Sequence, residues 1–232
     1  MRLVILQPSF LPWLGYLDQY LWADVFVLYD DTQFDKHGWR NRNRILTSNG
    51  IGWLTVPVKT RGQSKPLNLN IRIDNLRDWR RKMLATLRQS YTKAPYFDRY
   101  FPGLETILSR PWETLFELNL ESFRWLTESL ELPWKVVRSS GLNVSGKRTS
   151  RLVALCRELG ASDYLTGNAA RNYLNERLFE EAEIRVHWHN YRHPHYFQGP
   201  QDFVPYLSAV DLLFREGPRT VSILSGSHQS SS

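Results

Sequence analysis

Cysteine is almost absent from this chain, which has one, Cys156, among 232 residues. A single cysteine excludes an internal disulfide and a zinc site built from several thiolates. Cys156 falls within the apolar pattern Leu152, Val153, Leu155 and Leu159. A reactive cysteine needs an electropositive, accessible setting, so we predict a buried core thiol.

Long hydrophobic runs and common catalytic motifs are also missing. No apolar run approaches the roughly 20 residues of a membrane span, and the N-terminus reads as a strand instead of a signal peptide. We therefore expect a cytoplasmic protein with no membrane span. The absence of GxSxG, CxxC, HExxH and GxGxxG removes the usual nucleophile, redox and dinucleotide signatures.

Positive charge is in excess, with 30 Lys and Arg against 23 Asp and Glu, a formal charge of +7. The excess concentrates in three short clusters, at residues 40–44, 77–82 and 147–151. It predicts an anionic partner, either a phosphorylated small molecule such as a nucleotide sugar or an RNA. A solvated basic face is the alternative.

The first 31 residues predict a right-handed βαβ crossover. A strand at Leu3–Leu6 precedes a helix at Trp13–Ala23 and a second strand at Val25–Tyr29. Parallel sheets bind ligands beyond the carboxyl ends of their strands. That edge gives five candidate site residues: Gln7, Gly15, Tyr16, Asp30 and Asp31.

A β-hairpin follows, because Ser48-Asn49-Gly50 separates strand-like runs at Arg40–Thr47 and Ile51–Val58. Alternation puts Arg40, Arg42 and Arg44 on one face and the amides of Asn41 and Asn43 on the other. Such a row of guanidinium groups can bind phosphate bidentately. A polar, exposed edge strand is the alternative.

The rest of the chain predicts a helical block and then a renewed βα alternation. The helices are expected from the Asp74-Asn75 cap to about Tyr91, at Tyr96–Leu108, at Thr114–Leu130, at Thr149–Leu159, at Tyr173–Glu181 and at Pro205–Phe214, with strands at Trp134–Val137, Tyr164–Thr166 and Ile184–His189. We predict a single α/β domain over 1–224 with a helical insertion at about 74–131, and a disordered tail at 225–232.

Two groups of residues suggest ion or proton chemistry. Asp30-Asp31 at a strand end could hold Mg²⁺ or Mn²⁺ beneath a diphosphate, or only make turns and hydrogen bonds. His187 and His189 face one way along a strand, as zinc ligands could, although a polar sugar or nucleotide pocket fits better. His193 is the candidate general base.

Two loops before helices are candidate ligand sites. Lys147, Thr149 and Arg151 stand at a helix start, where free amides and the helix dipole attract anions, but the glycine spacing of a Walker motif is absent. A well-capped helix with solvated basic residues is the alternative. Gly167, after a strand, would let a ligand approach the backbone closely.

The chain resembles the WbqC-like protein family of bacterial surface-polysaccharide loci over residues 2–217. The resemblance is carried by Gln7-Pro8, Pro12–Tyr16, Asp24, Tyr29–Asp31, Gln33-Phe34, Gly38–Asn43, Trp53, Pro57, Trp79, Lys82, Tyr91, Ala94–Phe97, Lys147, Thr149, Arg151, Tyr164-Leu165, Gly167, Tyr173, Tyr191, His193-Pro194, Tyr196, Ser208, Asp211–Phe214 and Gly217. One departure is Met83, where relatives are expected to carry His; if that His is catalytic, this chain's chemistry differs.

The resemblance implies a role in O-antigen, related glycan or natural-product biosynthesis, without an established reaction. The N-terminal segment is also similar to pantothenate-synthetase-type nucleotidylyltransferases, but residues 12–16 lack their loop histidines. We therefore predict an α/β fold with a parallel-sheet, Rossmann-like (nucleotidylyltransferase-like) core, a β-hairpin insertion and a helical subdomain.

The leading hypothesis is a transferase acting on an activated phosphorylated donor, either a nucleotide sugar or an acyl or aminoacyl donor. Asp30, Asp31 and His193 are the predicted catalytic residues. The predicted substrate- and phosphate-binding residues are Gln7, Gly15, Tyr16, Gln33, Arg40, Asn41, Arg42, Lys147, Thr149, Arg151, Gly167, Tyr173, Tyr191 and Tyr196. The alternatives are a non-catalytic ligand- or tRNA-binding module and an ATP-dependent ligase or nucleotidylyltransferase.

Overall fold

The computed structural model describes residues 1–36 and 38–226, which divide into two compact units. The sheet unit comprises Met1–Gln7, Asp18–Asp31 and Lys135–Tyr191. The helical unit comprises Pro8–Leu17, Thr32–Trp134 and the chain from Arg192 onward.

Strands and helices alternate near both ends of the chain. The strands are β1 (Arg2–Leu6), β2 (Val25–Leu28), β3 (Arg42–Thr47), β4 (Gly50–Thr55), β5 (Val58–Lys59), β6 (Arg72–Ile73), β7 (Val136–Arg138), β8 (Asp163–Gly167) and β9 (Arg185–His189). The helices are α1 (Leu14–Trp22), α2 (Trp79–Tyr91), α3 (Phe97–Ser109), α4 (Leu115–Ser129), α5 (Arg148–Glu158), α6 (Arg177–Glu180), α7 (Ala209–Glu216) and α8 (Thr220–Gly226).

The sheet unit is built on a five-stranded parallel sheet in the order β7-β2-β1-β8-β9. Consecutive apolar residues fill its central strands, and Leu3 and Val4 in β1 are both fully buried. A strand covered on both faces needs no polar alternation, which is why its sequence is continuously apolar. The predicted α/β class with a Rossmann-like core is confirmed.

The helical unit contains the hairpin and the central helices. β3 and β4 pair antiparallel from Arg42 opposite Thr55 to Thr47 opposite Gly50, which confirms the predicted hairpin. The helices α2, α3 and α4 fall inside the predicted helical block at 74–131. Met83 is 4% exposed on the buried face of α2, where it packs as a core residue.

The predicted start of α2 is wrong by four residues. Asp74 and Asn75 precede the helix, which begins at Trp79 after Asp78. The Asp74 N–H donates to Pro57 O at 2.8 Å, beside the β5–β6 pair. Pairing with an extended segment keeps Asp74 out of the helix.

Three predictions near the C-terminus are also wrong in extent. The helix expected at 173–181 is reduced to α6, because Tyr173, which ends the 3-10 turn at Asn168–Asn172, has a φ of −141°, outside the helical region. The helix expected from Pro205 begins at Ala209, because Tyr206 has a φ of 61°, outside the right-handed helical region. Residues 225 and 226 of the predicted tail belong to α8, and 227–232 lie outside the described residues.

Among residues 1–36 and 38–226, none of the helices combines the length and the apolar character that a bilayer crossing requires.

Candidate functional site

The strand order of the sheet unit creates a topological switch point at one edge. From β1 the chain adds β2 and then β7 on one side, and it returns to add β8 and β9 on the other. Loops leave β1 and β8 in opposite directions at their carboxyl ends, which is where open α/β sheets bind ligands. Gln7 follows β1 and Gly167 ends β8, so both predicted residues lie at this switch point.

Asp30 follows β2 at the same edge and is completely buried. Its Oδ1 accepts from the Ser140 N–H at 2.9 Å, and its Oδ2 accepts from Ser140 Oγ at 2.7 Å and Arg138 Nε at 2.9 Å. Burial raises the pKa of Asp30, but the hydrogen bonds from Ser140, Arg138 and Ser139 outweigh it and leave that pKa below its ordinary value. Asp30 is therefore ionised, and its carboxylate holds the loop after β7 by these hydrogen bonds.

Asp31 forms an ion pair with Arg151 of α5. Its Oδ1 also accepts a hydrogen bond from Ser139 Oγ at 2.6 Å. The Arg151 guanidinium lies 5.2 Å from the centre of the Tyr29 ring, and hydrogen bonds to Asp31 and Tyr29 raise the pKa of Arg151 despite its burial. Its buried Nε makes no hydrogen bond within the described residues.

The N-terminus of α5 supplies positive charge at this edge. Lys147 and Arg148 are exposed at the helix start, and the first turn contains no acidic residue. Unpaired backbone amides and the helix dipole attract anions at such an end. Thr149 differs, because its buried hydroxyl accepts the Asn175 N–H at 3.1 Å. Thr149 therefore holds the loop that precedes α6, and its predicted contact with a ligand stays a prediction.

The oxygens of Asp30 and Asp31 are committed to protein donors. In the described part of the chain, no group of three or more His, Cys, Asp or Glu side chains is arranged to hold a metal ion. The predicted Mg²⁺ or Mn²⁺ at these carboxylates stays a prediction.

Gly167 has open space where a side chain would begin. A Cβ built on it meets no atom within 4 Å among the described residues, and its φ of −75° is open to any residue. Neither packing nor backbone geometry therefore requires glycine. Its bare backbone fits the predicted close approach of a ligand.

Two histidine–aspartate pairs lie along β9. His187 Nε2 is 2.7 Å from Asp163 Oδ1, and His189 Nε2 is 2.6 Å from Asp18 Oδ2 of α1. The side chains of the second pair are 8% and 1% exposed, against 35% and 26% in the first. Each imidazole is paired with a different carboxylate. The two pairs are therefore not arranged around one common zinc position.

The predicted arginine–asparagine alternation is present in the helical unit, but the strand begins at Arg42, so Arg40 and Asn41 precede it. Asn41 and Asn43 are buried and donate to backbone carbonyls, Asn41 to Val56 O at 2.9 Å and Asn43 to Leu11 O at 2.8 Å. Both amides therefore hold the hairpin in place, while Asn41 Oδ1 is buried without a hydrogen bond from any described residue. The predicted contact of Asn41 with a ligand stays a prediction. Burial lowers the pKa of Arg40, and Tyr16 and Asp35 partly oppose that shift.

An aromatic–arginine surface, formed by Trp39, Trp53, Arg42 and Arg44, covers the other face of the hairpin. The two indoles stack with ring centres 5.5 Å apart, and Trp53 is 48% exposed. Arg42 lies 4.7 Å from the Trp53 ring and Arg44 lies 5.3 Å from the Trp39 ring. Cations and π faces alternate along this surface.

Three predicted ligand residues of the helical unit have packing or hydrogen-bonding roles in the fold, and their predicted contact with a ligand stays a prediction. A Cβ on Gly15 would lie 2.1 Å from the Trp13 ring, so glycine is required there for close packing. Tyr16 is 6% exposed and packs edge-on against Phe123. The Tyr196 hydroxyl donates to Asp211 Oδ2 at 2.7 Å, and burial followed by that carboxylate raises the pKa of Tyr196.

His193 lies against aromatic rings in the helical unit. Its ring centre is 4.2 Å from that of Tyr206 and 5.7 Å from that of Trp13, and it lines a cavity of about 430 Å³. Burial, with Arg44 and His195, lowers the pKa of His193 to about 4. An imidazole with that pKa is uncharged at neutral pH, and the predicted catalytic role of His193 stays a prediction.

The sheet unit thus brings together Asp30, Asp31 and Arg151, with Gln7, Lys147 and Gly167 at the same edge. Tyr173 is 66% exposed and Tyr191 follows β9 in this unit. The other predicted site residues, Gly15, Tyr16, Gln33, Arg40, Asn41, Arg42, His193 and Tyr196, belong to the helical unit. Their roles in a reaction stay predictions.

The sequence alone did not single out Arg138, Ser139 and Ser140, which hold the aspartates, or the pairing of Asp18 with His189. The small polar residues after the predicted strand at 134–137 were the available signal for the first group. Asp18 gave none, since an acidic residue in an amphipathic helix normally faces solvent.

Comparisons with known proteins identify relatives whose function is not described. The model of the WbqC-like protein family matches residues 7–223. The uncharacterized protein Rv1507c of Mycobacterium tuberculosis is 35% identical over 218 residues, which cover 93% of this chain and 94% of the relative. No solved structure matches the chain.

Proposed function

Because the chain belongs to the WbqC-like protein family, we propose that it is a cytoplasmic transferase that acts on an activated phosphorylated donor. A nucleotide sugar is the donor that we favour, in the synthesis of an O-antigen or a related glycan. One observation carries the proposal: the switch point between β1 and β8 lies at the same edge of the sheet at which α5 begins with Lys147 and Arg148.

The donor phosphates bind at the α5 N-terminus in this proposal. Lys147 and Arg148 supply mobile positive charge, and the helix amides supply directed donors. Arg151 is fixed by Asp31, and its guanidinium adds a third positive charge beside the start of the helix. The nucleoside extends along the carboxyl edge toward Gly167, where the open backbone gives it room.

Thermal unfolding in the presence of nucleotide sugars tests the proposal. UDP-, GDP-, dTDP- and CMP-linked sugars are added with and without Mg²⁺, and at least one is expected to raise the melting temperature. The Mg²⁺ comparison also tests the predicted metal. Stabilisation by none of the donors contradicts the proposal.

Charge variants on α5 locate the site. Lys147→Gln is expected to weaken donor binding by about 3- to 10-fold, the loss of one partly solvated contact to a phosphate. Arg157→Gln is the matched control, since it removes the same charge at the opposite end of α5. Equal weakening by both variants would indicate a non-specific charge effect.

A second candidate function is the binding of single-stranded RNA, such as a tRNA end, by the aromatic–arginine surface. Stacking on exposed rings and contact with arginines are the two elements of such sites. Binding to tRNA should weaken steeply with salt, and Trp53→Ala should weaken it about 5- to 100-fold, as one stacked base is lost. Binding that is insensitive to Trp53→Ala excludes this candidate.

A further inference from the structure

We infer that His189, held by Asp18, is the general base that removes the acceptor's proton in the proposed transfer. The inference rests on the proposed function and names the residue that activates the acceptor, a hydroxyl or an amine. His193 was the candidate from the sequence alone.

His189 lies at the carboxyl edge of the parallel sheet. It is the last residue of β9 and pairs in register with Gly167, the last residue of β8. It therefore lies on the carboxyl edge of the sheet, one strand beyond the switch point between β1 and β8. Catalytic groups in open α/β sheets gather at this edge.

The hydrogen bond to Asp18 fixes which nitrogen is basic. A carboxylate oxygen can only accept, so His189 Nε2 carries the hydrogen of the 2.6 Å contact. The lone pair of the uncharged ring is then on Nδ1. A carboxylate that orients an imidazole and stabilises its charged form is the arrangement that general-base histidines use.

The Nδ1 atom of His189 remains accessible. Nδ1 makes no hydrogen bond with any described residue, and it is not one of the fully buried polar atoms that lack a partner. The His189 side chain is thus only 8% exposed, yet its Nδ1 still reaches solvent. The Tyr191 ring, 5.5 Å from the His189 ring, borders this position.

The proposed step balances without a further reagent. The O–H or N–H bond of the acceptor breaks, and its proton passes to His189 Nδ1. The acceptor atom forms a bond to the donor carbon as the bond from that carbon to the phosphate oxygen breaks. The electron pair of the broken bond leaves with the nucleotide.

Variants of the two histidine–aspartate pairs provide a matched test. His189→Gln is expected to lower kcat for nucleotide release by about 10²- to 10⁴-fold, the usual contribution of a general base, with donor affinity unchanged. Asp18→Asn should give a smaller loss, because an amide oxygen still accepts from Nε2. His187→Gln and Asp163→Asn, the control pair on the same strand, should leave kcat unchanged.

The assay uses each of the four donor classes above, with water and simple alcohols and amines as acceptors, and circular dichroism confirms that each variant folds. Carbethoxylation by diethyl pyrocarbonate gives a second readout: bound donor should protect His189 and leave His187 reactive. If a donor binds but His189→Gln releases nucleotide as fast as the wild type, or His189 is not protected, the inference is overturned and the proposed function survives. If no donor binds, the proposed function fails first, and the inference fails with it.

Discussion

At the scale of single residues, buried polar groups divide into those that hold the fold and those that remain available for chemistry. Asp30 belongs to the first group, since donors from Arg138 and Ser140 occupy both of its oxygens. His189 belongs to the second, because among the described residues just one of its ring nitrogens has a hydrogen-bond partner. Burial alone does not separate the two cases; the count of satisfied atoms does.

Asp30→Asn should lower the free energy of unfolding at pH 7 by about 1–3 kcal/mol, because an amide hydrogen would face the donors that now point at Oδ2. The pKa of Asp30 is depressed in the folded state. Its stabilisation is therefore present above the ordinary carboxyl pKa, near 3.9, and is lost as the pH falls through the lower folded value.

Urea unfolding at several pH values measures both effects. As the pH is lowered, the free energy of unfolding should fall less in Asp30→Asn than in the wild type. Asp78→Asn, which removes an exposed partner of Arg81, is the control and should change little. If Asp30→Asn loses as much stability at acidic pH as the wild type does, the depressed pKa of Asp30 is contradicted.

His193→Phe should flatten the dependence of stability on pH between about 6.5 and 4. The folded pKa of about 4 lies below the ordinary value of 6.5, so the unfolded chain binds more protons in this window. The wild type therefore loses stability as the pH falls through it. A phenyl ring keeps the edge-on contact with Tyr206 and cannot titrate; an equally steep decline in the variant would refute the depressed pKa.

At the scale of elements, local signals determine where several helices begin. Thr114 and Glu117 form a capping box at the start of α4: Thr114 Oγ1 accepts from the Glu117 N–H, and Glu117 Oε2 accepts from the Thr114 N–H, both at 3.2 Å. Two of the otherwise unpaired amides are thereby satisfied. The start of α4 was predictable for this reason, within one residue.

Thr114→Ala should lower the free energy of unfolding by about 1 kcal/mol, as the cap is lost. Thr106→Ala is the control, because its exposed hydroxyl bonds only to Pro102 O within α3. Chemical denaturation of both variants provides the comparison. Equal losses would show that the capping box contributes nothing specific.

At the scale of the whole molecule, the parallel sheet and its covering helices define the interior in which the single cysteine lies. Cys156 is fully buried among residues such as Leu3, Val27 and Phe179. Burial raises the pKa of its thiol to about 12. The predicted core thiol is confirmed, and its reactivity reports on unfolding of the sheet unit.

Cys156 should therefore resist Ellman's reagent at pH 8 in the native protein and react with one equivalent in denaturing urea, since only the thiolate of an exposed cysteine attacks disulfides. Absorbance of the released thiolate measures the reaction. Rapid, complete labelling without urea would show that the sheet unit opens far more often than its packing implies.

The sequence by itself determined the local structure wherever one signal dominated. Continuous apolar runs fixed the parallel strands, Asn49-Gly50 fixed the hairpin, and Gly160, with a φ of 68°, marked the end of α5. Local signals failed where a distant partner intervened, as at Asp74, whose N–H bonds to Pro57 O instead of starting a helix. The family resemblance was likewise readable from the sequence.

Only the tertiary structure decided which polar residues meet. Asp31 and Arg151 are 120 positions apart and Asp18 and His189 are 171 apart, and no periodicity relates residues at such separations. Strand order, which is a property of the folded sheet, brings these groups to one edge. The reason is physical: local sequence fixes backbone preference, whereas burial of apolar surface by the whole chain fixes which distant side chains become neighbours.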